Sequence, residues 1–111
     1  MNYTLITGAS SGIGLELCHL LAEAGNNIIL VARKERELYQ LKASLMEKFG
    51  IQVEVIIKDL ANPDAPKEIY THIISRGINI NTLINNAGVG SFGPFNKISL
   101  EKDINLLDVN I

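Results

Sequence analysis

Three glycines crowd one short stretch near the start of the chain, "TLITGASSGIG", Thr4 to Gly14. Gly8, Gly12 and Gly14 fall within seven residues, and each carries a large backbone-entropy cost on folding. This residue type at this spacing is suited to holding a phosphate. Gly8 lets the chain turn sharply out of a strand. Gly12 leaves no side chain where a ligand must approach the backbone, and Gly14 lets the following helix lie close to its sheet. The helix then directs free N–H groups and the positive end of its dipole at an anion. The dipole contributes at most about 2 kcal/mol. Direct hydrogen bonds must supply the rest, and Ser10 and Ser11 carry hydroxyls at the right place. A tight strand-to-helix connection alone needs one or two glycines, so three favour the phosphate. The nucleoside-triphosphatase loop is excluded, because it needs Lys and then Ser or Thr after its last glycines. Ile13-Gly14-Leu15 fills that stretch here.

A second chemical signal stands about 20 residues further on, at the end of the next strand. A coenzyme with a free ribose 2′-hydroxyl wants an acid there. The sequence has Ala32 followed by Arg33 and Lys34. A guanidinium is therefore available for a 2′-phosphate, in a charge-assisted pair worth roughly 1.5–3 kcal/mol. This predicts NADP(H) over NAD(H), with Arg33 as the reader and Lys34 on the surface. The competing account makes Arg33 a solvated charge opening a helix rich in Lys and Glu; its position favours the functional one.

The elements that must place these residues alternate between short β-rich runs and helical patterns. Tyr3–Thr7 reads as a first strand. From Ile13, Leu17, Leu20, Leu21 and Ala24 recur at helical spacing, and Gly25 sits where a C-terminal cap belongs. Ile28–Ala32 is apolar throughout, as a strand covered on both faces would be. Leu38, Leu41, Leu45 and Phe49 form a helical stripe that Gly50 stops. Ile51, Val53, Val55 and Ile57 alternate with polar residues, which suggests a third strand near a sheet edge. Asn62–Pro66 turns into a helix whose Ile69 and Ile73, with Tyr70 and Ile74, are expected to face inward. Thr82–Asn85 is a short fourth strand, followed by "NNAG" and a glycine-rich loop. Ser99 is a plausible N-cap, and Leu100, Ile104, Leu107 and Ile111 mark the stripe of a last helix.

Strands alternating with helices imply βαβ units and a parallel sheet with right-handed crossovers. The expected fold is α/β: a Rossmann-type doubly wound parallel sheet, incomplete, its first four strands in the order 3-2-1-4. The crevice then lies between strands 1 and 4. The chain has 111 residues, 47% hydrophobic and 20% charged, with a formal net charge of -2. That is ordinary for one globular domain or part of one. The mixed charges argue against a nucleic-acid binder, which needs a clustered basic face. No apolar run approaches the ~20 residues of a membrane span. No basic leader is seen, and the single Cys18 forms no internal disulfide, so a cytoplasmic setting is expected. Cys18 is expected to be a small core residue. His19 and His72 are isolated and expected at helix surfaces or boundaries, and no metal site is expected.

With "TGASSGIG" after strand one, "VAR" after strand two, "KDL" after strand three and "NNAG" after strand four, the chain resembles the short-chain dehydrogenase/reductase family. The match covers essentially all of the chain, and four motifs in order at strand ends are specific. The resemblance implies an NADP(H)-dependent oxidoreductase that moves a hydride between the nicotinamide and a carbonyl or alcohol carbon. It implies a cofactor-binding set of Gly8, Ser10, Ser11, Gly12, Ile13, Gly14, Arg33, Asp59, Leu60, Asn86, Ala87 and Gly88. Asp59 matches the acid that bonds the adenine amino group, though it also suits a turn before Pro63. Leu60 matches the residue flanking the adenine ring. Asn86-Ala87-Gly88 matches the segment beside the ribose, with Asn85 and Asn86 also expected to brace the sheet. Asn110 matches the catalytic-helix asparagine, whose main-chain carbonyl holds a water that leads to the catalytic lysine.

The family's proton-donating tyrosine, with a lysine four residues later, has no counterpart. Tyr3, Tyr39 and Tyr70 are followed at that distance by Thr7, Ala43 and Ile74. The expectation is therefore residues 1–111 as the N-terminal, NADP-binding part of a single domain, catalytically inactive alone. A non-catalytic dinucleotide-binding module is the alternative. Without later strands, strand four is expected to be an exposed apolar edge and the chain weakly stable. Intact members commonly pair through the helix starting here at Ser99, so a homo-oligomer is expected of the complete protein.

Overall fold

A computed structural model describes residues 2–8 and 12–86 of the chain, and the backbone of residues 107–110. The elements are β1 (Asn2–Thr7), α1 (Gly12–Glu23), β2 (Asn27–Ala32), α2 (Glu35–Phe49), β3 (Val53–Ile57), α3 (Ala65–Ser75), β4 (Asn79–Asn85) and β5 (Leu107–Asn110). All strand pairs are parallel, in the order β3-β2-β1-β4-β5. The expected 3-2-1-4 order and doubly wound architecture are therefore present. β3 lies at the sheet edge, as its polar–apolar alternation suggested.

β2 explains how the sheet divides its core. Ile28, Leu30 and Ala32 pack with Cys18 and Ala22 of α1 and Leu38, Leu41 and Leu45 of α2. Ile29 and Val31 point the other way, into Leu5, Ile69, Ile73 and Leu83 under α3. A strand covered on both faces must be apolar at every position, and β2 is. Each such buried Ile or Leu side chain contributes about 1.5–3 kcal/mol.

β4 keeps both Ile80 and Leu83 on the α3 side, although they are an odd number of residues apart. The register shift explains this: Tyr3 pairs with Ile80 but Thr4 pairs with Thr82, so Asn81 is an inserted residue. The bulge restores the facing that strict alternation would reverse.

The helices end as their sequences dictate. Gly50 closes α2 at φ 68, its N–H donating to the Met46 carbonyl. Glu35 and Glu37 at the start of α2 and Lys48 at its end match the helix dipole. The N–H of Asp64 donates to Asn62 Oδ1 at 2.9 Å, and Pro66 stands in the first turn of α3.

Four expectations need correction. In α1 the buried residues are Gly14, Cys18 and Ala22, while Leu20 is 62% exposed and Ala24 is exposed. Small residues face the sheet because the helix lies close to it, leaving the larger Leu17 and Leu21 at the flanks. Ile74 is 50% exposed, because the inward side of α3 is completed by Ala65, Pro66, Ile69 and Ile73. Residues 107–110 form strand β5 rather than part of a helix. "LDVN" also alternates apolar and polar, and pairing Thr82–Asn85 with Leu107–Asn110 satisfies backbone groups that an edge would leave open. β4 is consequently paired on both sides instead of being an exposed edge. Ser99, Leu100, Ile104 and Ile111 lie outside the described residues.

Candidate functional site

Because every strand is parallel, the carboxyl ends of β1, β2, β3 and β4 lie along one rim. The chain leaves β1 through Gly8, at φ 66, whose N–H donates to the Val31 carbonyl at 2.9 Å. It enters α1 at Gly12, at φ 60. That left-handed conformation is costly for any residue with a Cβ. The space in front of Gly12 is open: a Cβ there would meet nothing within 4 Å. Ile13, 58% exposed, follows at the same helix head. α1 has no acidic residue in its first turn, so no side chain of its own neutralises its positive end.

Gly14 is buried and serves a different purpose. A Cβ on it would overlap the Gly8 carbonyl and the side-chain amide of Asn86. The helix is thus seated directly on the turn, as close packing at Gly14 was expected to achieve. Asn86 Nδ2 donates to the Gly8 carbonyl at 3.3 Å. The same residue's backbone N–H donates to Thr7 Oγ1 at 2.8 Å. Thr7 is fully buried, and its hydroxyl lies 3.3 Å from Asn85 Oδ1 and 3.5 Å from the Ile84 carbonyl. Asn85 and Asn86 therefore brace the sheet as expected. Thr7, which joins the ends of β1 and β4, was not singled out from sequence. The available signal was a hydroxyl at the last strand position before the glycine turn.

Arg33 follows the last residue of β2 and is exposed; among the described residues it makes no ion pair. Asp59 follows β3 and is exposed. Its Oδ1 accepts the Ala61 N–H at 2.9 Å, which is the turn-capping role considered for it. Among the described residues its second carboxylate oxygen accepts no hydrogen bond. Leu60 is only 8% exposed and packs with Ile56, Ala65 and Ile69, so its side chain anchors the turn that carries Asp59. Lys58 Nζ lies 3.2 Å from Glu68 Oε1 on α3. Asn110 ends strand β5 opposite Asn85, on the same rim, and so does not stand on the helix that the resemblance implied for it, because its segment pairs with β4. Ser10, Ser11, Ala87 and Gly88 lie outside the described residues. Cys18 is fully buried, and burial pushes its thiol up to about 12, so it is a core residue as expected.

The rim can therefore present backbone N–H groups at a helix head and, at the next strand end, a guanidinium that makes no ion pair among the described residues. A free carboxylate oxygen stands at the strand beyond. A dinucleotide with a diphosphate fits that set, and the open space before Gly12 leaves it room.

The short chain dehydrogenase family model matches residues 2–111. The chain belongs to this family. It is similar to the 7beta-hydroxysteroid dehydrogenase of Collinsella aerofaciens, 28% identical over 107 residues, covering 96% of this chain and 40% of the relative. It is similar to the very-long-chain 3-oxoacyl-CoA reductase of Kluyveromyces lactis, 39% identical over 88 residues, covering 78% of this chain and 25% of the relative. Among solved structures it resembles the L-sorbose reductase of Gluconobacter frateurii complexed with NADPH and L-sorbose. There the TM-score is 0.73 and the identity 39%, over 79% of this chain and 34% of the reductase. The chain thus spans well under half the length of these oxidoreductase relatives. Among the described residues, no helix is long and apolar enough to cross a membrane.

Proposed function

We propose that residues 1–111 are the coenzyme-binding part of an NADP(H)-dependent oxidoreductase acting between a carbonyl and an alcohol. The observation that carries this reading is Arg33, exposed and unpaired with any described carboxylate, beside the glycine turn of β1 and α1. No acid stands at that strand end to receive a 2′-hydroxyl. The related L-sorbose reductase holds NADPH.

When bound, the coenzyme supplies the hydride carrier; the protein supplies position and charge. The N–H groups at the head of α1 take the diphosphate, with Ser10 and Ser11 adding hydroxyls and Ile13 covering one side. Gly8 and Gly14 hold that head against β1. Arg33 takes the 2′-phosphate. The free oxygen of Asp59 accepts from the adenine amino group, and Leu60, whose buried side chain anchors that turn, flanks the adenine ring. Asn86 fixes the start of the segment whose Ala87 and Gly88 run beside the ribose. The Asn110 carbonyl holds the water that leads toward a catalytic lysine.

Proton transfer needs a tyrosine with a lysine four residues later, which these 111 residues do not contain. They are therefore expected to bind coenzyme without turnover, and the complete enzyme is expected to be cytoplasmic and homo-oligomeric, joined through the segment beginning at Ser99. The three relatives act on a steroid, an acyl-CoA and a sugar, so the substrate class proposed here stops at a carbonyl or alcohol. The second reading is a non-catalytic dinucleotide-binding module, since these residues carry the coenzyme cradle by itself. A Tyr-x-x-x-Lys encoded in frame beyond codon 111 supports the enzyme, and a stop codon there supports the module.

Titration with NADPH and NADH tests the coenzyme assignment. Arg33→Ala should weaken NADPH binding by about 10- to 100-fold, the worth of one charge-assisted pair. NADH binding should be unchanged. Equal affinity of the unaltered protein for both coenzymes contradicts the assignment.

A further inference from the structure

The carboxyl rim carries a second cation beside Arg33. Ala32 pairs with Ile57, and the ladder continues past that pair because the Lys58 N–H donates to the Ala32 carbonyl at 3.0 Å. The next residues along the two strands are Arg33 and Lys58, with backbones about one strand spacing, ~4.8 Å, apart. Ile57 packs toward α1 and α2, and Lys58 turns the opposite way, toward α3. There Glu68, in the first turn of α3, meets its ammonium at 3.2 Å. The two side chains are 33% and 50% exposed, so the pair is wet and exchangeable rather than locked. Arg33 has no such partner among the described residues.

Building on the 2′-phosphate reading of Arg33, we propose that Lys58 is a second specificity-determining cation for NADP(H), and that Glu68 limits its contribution. A phosphate monoester carries close to two negative charges at neutral pH. One guanidinium leaves the second charge uncompensated. An ammonium on a flexible stem, one strand away, reaches it as a point charge without a fixed geometry. While Lys58 is shared with Glu68, its attraction for the phosphate is partly cancelled. The device thus sets the size of the coenzyme preference, whereas Arg33 sets its direction.

The test is titration of the full 111-residue chain with NADPH and NADH at low ionic strength, for the unaltered protein and for Arg33→Ala, Lys58→Met, Lys58→Arg and Glu68→Gln. Lys58→Met should weaken NADPH by about two- to fivefold, the scale of an exposed charge pair, and leave NADH unchanged. Lys58→Arg should retain the NADPH affinity. Glu68→Gln should tighten NADPH by a similar factor with no change in NADH. If Lys58 and Glu68 serve only to tie β3 to α3, both substitutions will change NADPH and NADH alike, and the proposal is overturned. If Arg33→Ala removes the preference while Lys58→Met leaves it intact, the Lys58 role alone fails. If Arg33→Ala has no effect on the preference, the phosphate is not read at this corner and both assignments fall.

Discussion

Gly12 and Gly14 are two residues apart and are needed for different physical reasons. Gly14 has no space: a Cβ there runs into the Gly8 carbonyl, which is backbone and cannot move cheaply. Overpacking of this kind costs roughly 1–3 kcal/mol. Gly14→Ala should therefore lower the melting temperature by about 5–15 °C in a chain of this size. Gly12 has open space but a positive φ, so Gly12→Ala costs only about 1–2 kcal/mol of backbone strain. Its added methyl projects into the open space where the proposed coenzyme site lies. Thermal melts and NADPH titrations of both variants should separate them, Gly14→Ala losing more stability and Gly12→Ala losing more affinity per degree. Equal ratios of the two losses would contradict this division. The glycines at 12 and 14 could be read from sequence because the strand–turn–helix that demands them is local, with Gly8 six residues before Gly14. Thr7 could not, because its partner Asn86 is 79 positions away. The Lys58–Glu68 pair was hidden for the same reason: only the folded turn between them brings the two charges together.

At the scale of elements, strand order and the type of most elements were legible, and the facing of α1 was not. Hydrophobicity pointed to Leu20 and Ala24 as inward, yet proximity to the glycine turn admits only Gly14, Cys18 and Ala22. Close packing selected for size over hydrophobicity. The last segment shows the opposite problem, since it satisfies two periods at once. Leu107 belongs to a helical stripe with Leu100 and Ile104, but Leu107 and Val109 also alternate as a strand does. Long-range pairing with β4 decides between them, and no local pattern reports that. Val109→Pro removes the N–H of a residue paired with Ile84. Hydrogen exchange of the β4 amides that face β5 should accelerate in this variant, while β2 amides keep their protection. Unchanged exchange along β4 would show that β5 contributes nothing to that edge.

At the scale of the whole molecule, the two cores on either side of the sheet couple stability to high pH. Cys18 lies in the core shared by α1 and α2, and burial raises its thiol from 9.0 to about 12. Tyr3, beside the α3 core, is also raised, chiefly by burial and then by Glu54, with Arg76 opposing. Both groups are neutral when folded. The unfolded chain releases the Cys18 proton from about pH 9, so the stabilisation is complete below that pH and falls as pH rises toward 12. The loss from Cys18 reaches up to about 1.4 kcal/mol per pH unit. Urea midpoints should therefore drop between pH 9 and 10.5, and Cys18→Ala should flatten that drop. A midpoint that stays level across this range would contradict the burial of the thiol.

The central claim is that the head of α1 and the end of β2 together receive the coenzyme. Its most direct test is an amide-resolved NMR titration of the 111-residue chain with NADPH. The resonances of Gly12, Ile13, Gly14 and Arg33 should move on one shared saturation curve, while those on the outer face of α2 stay in place. NADPH that binds while those four resonances remain still, or that shifts only residues elsewhere, would contradict the account.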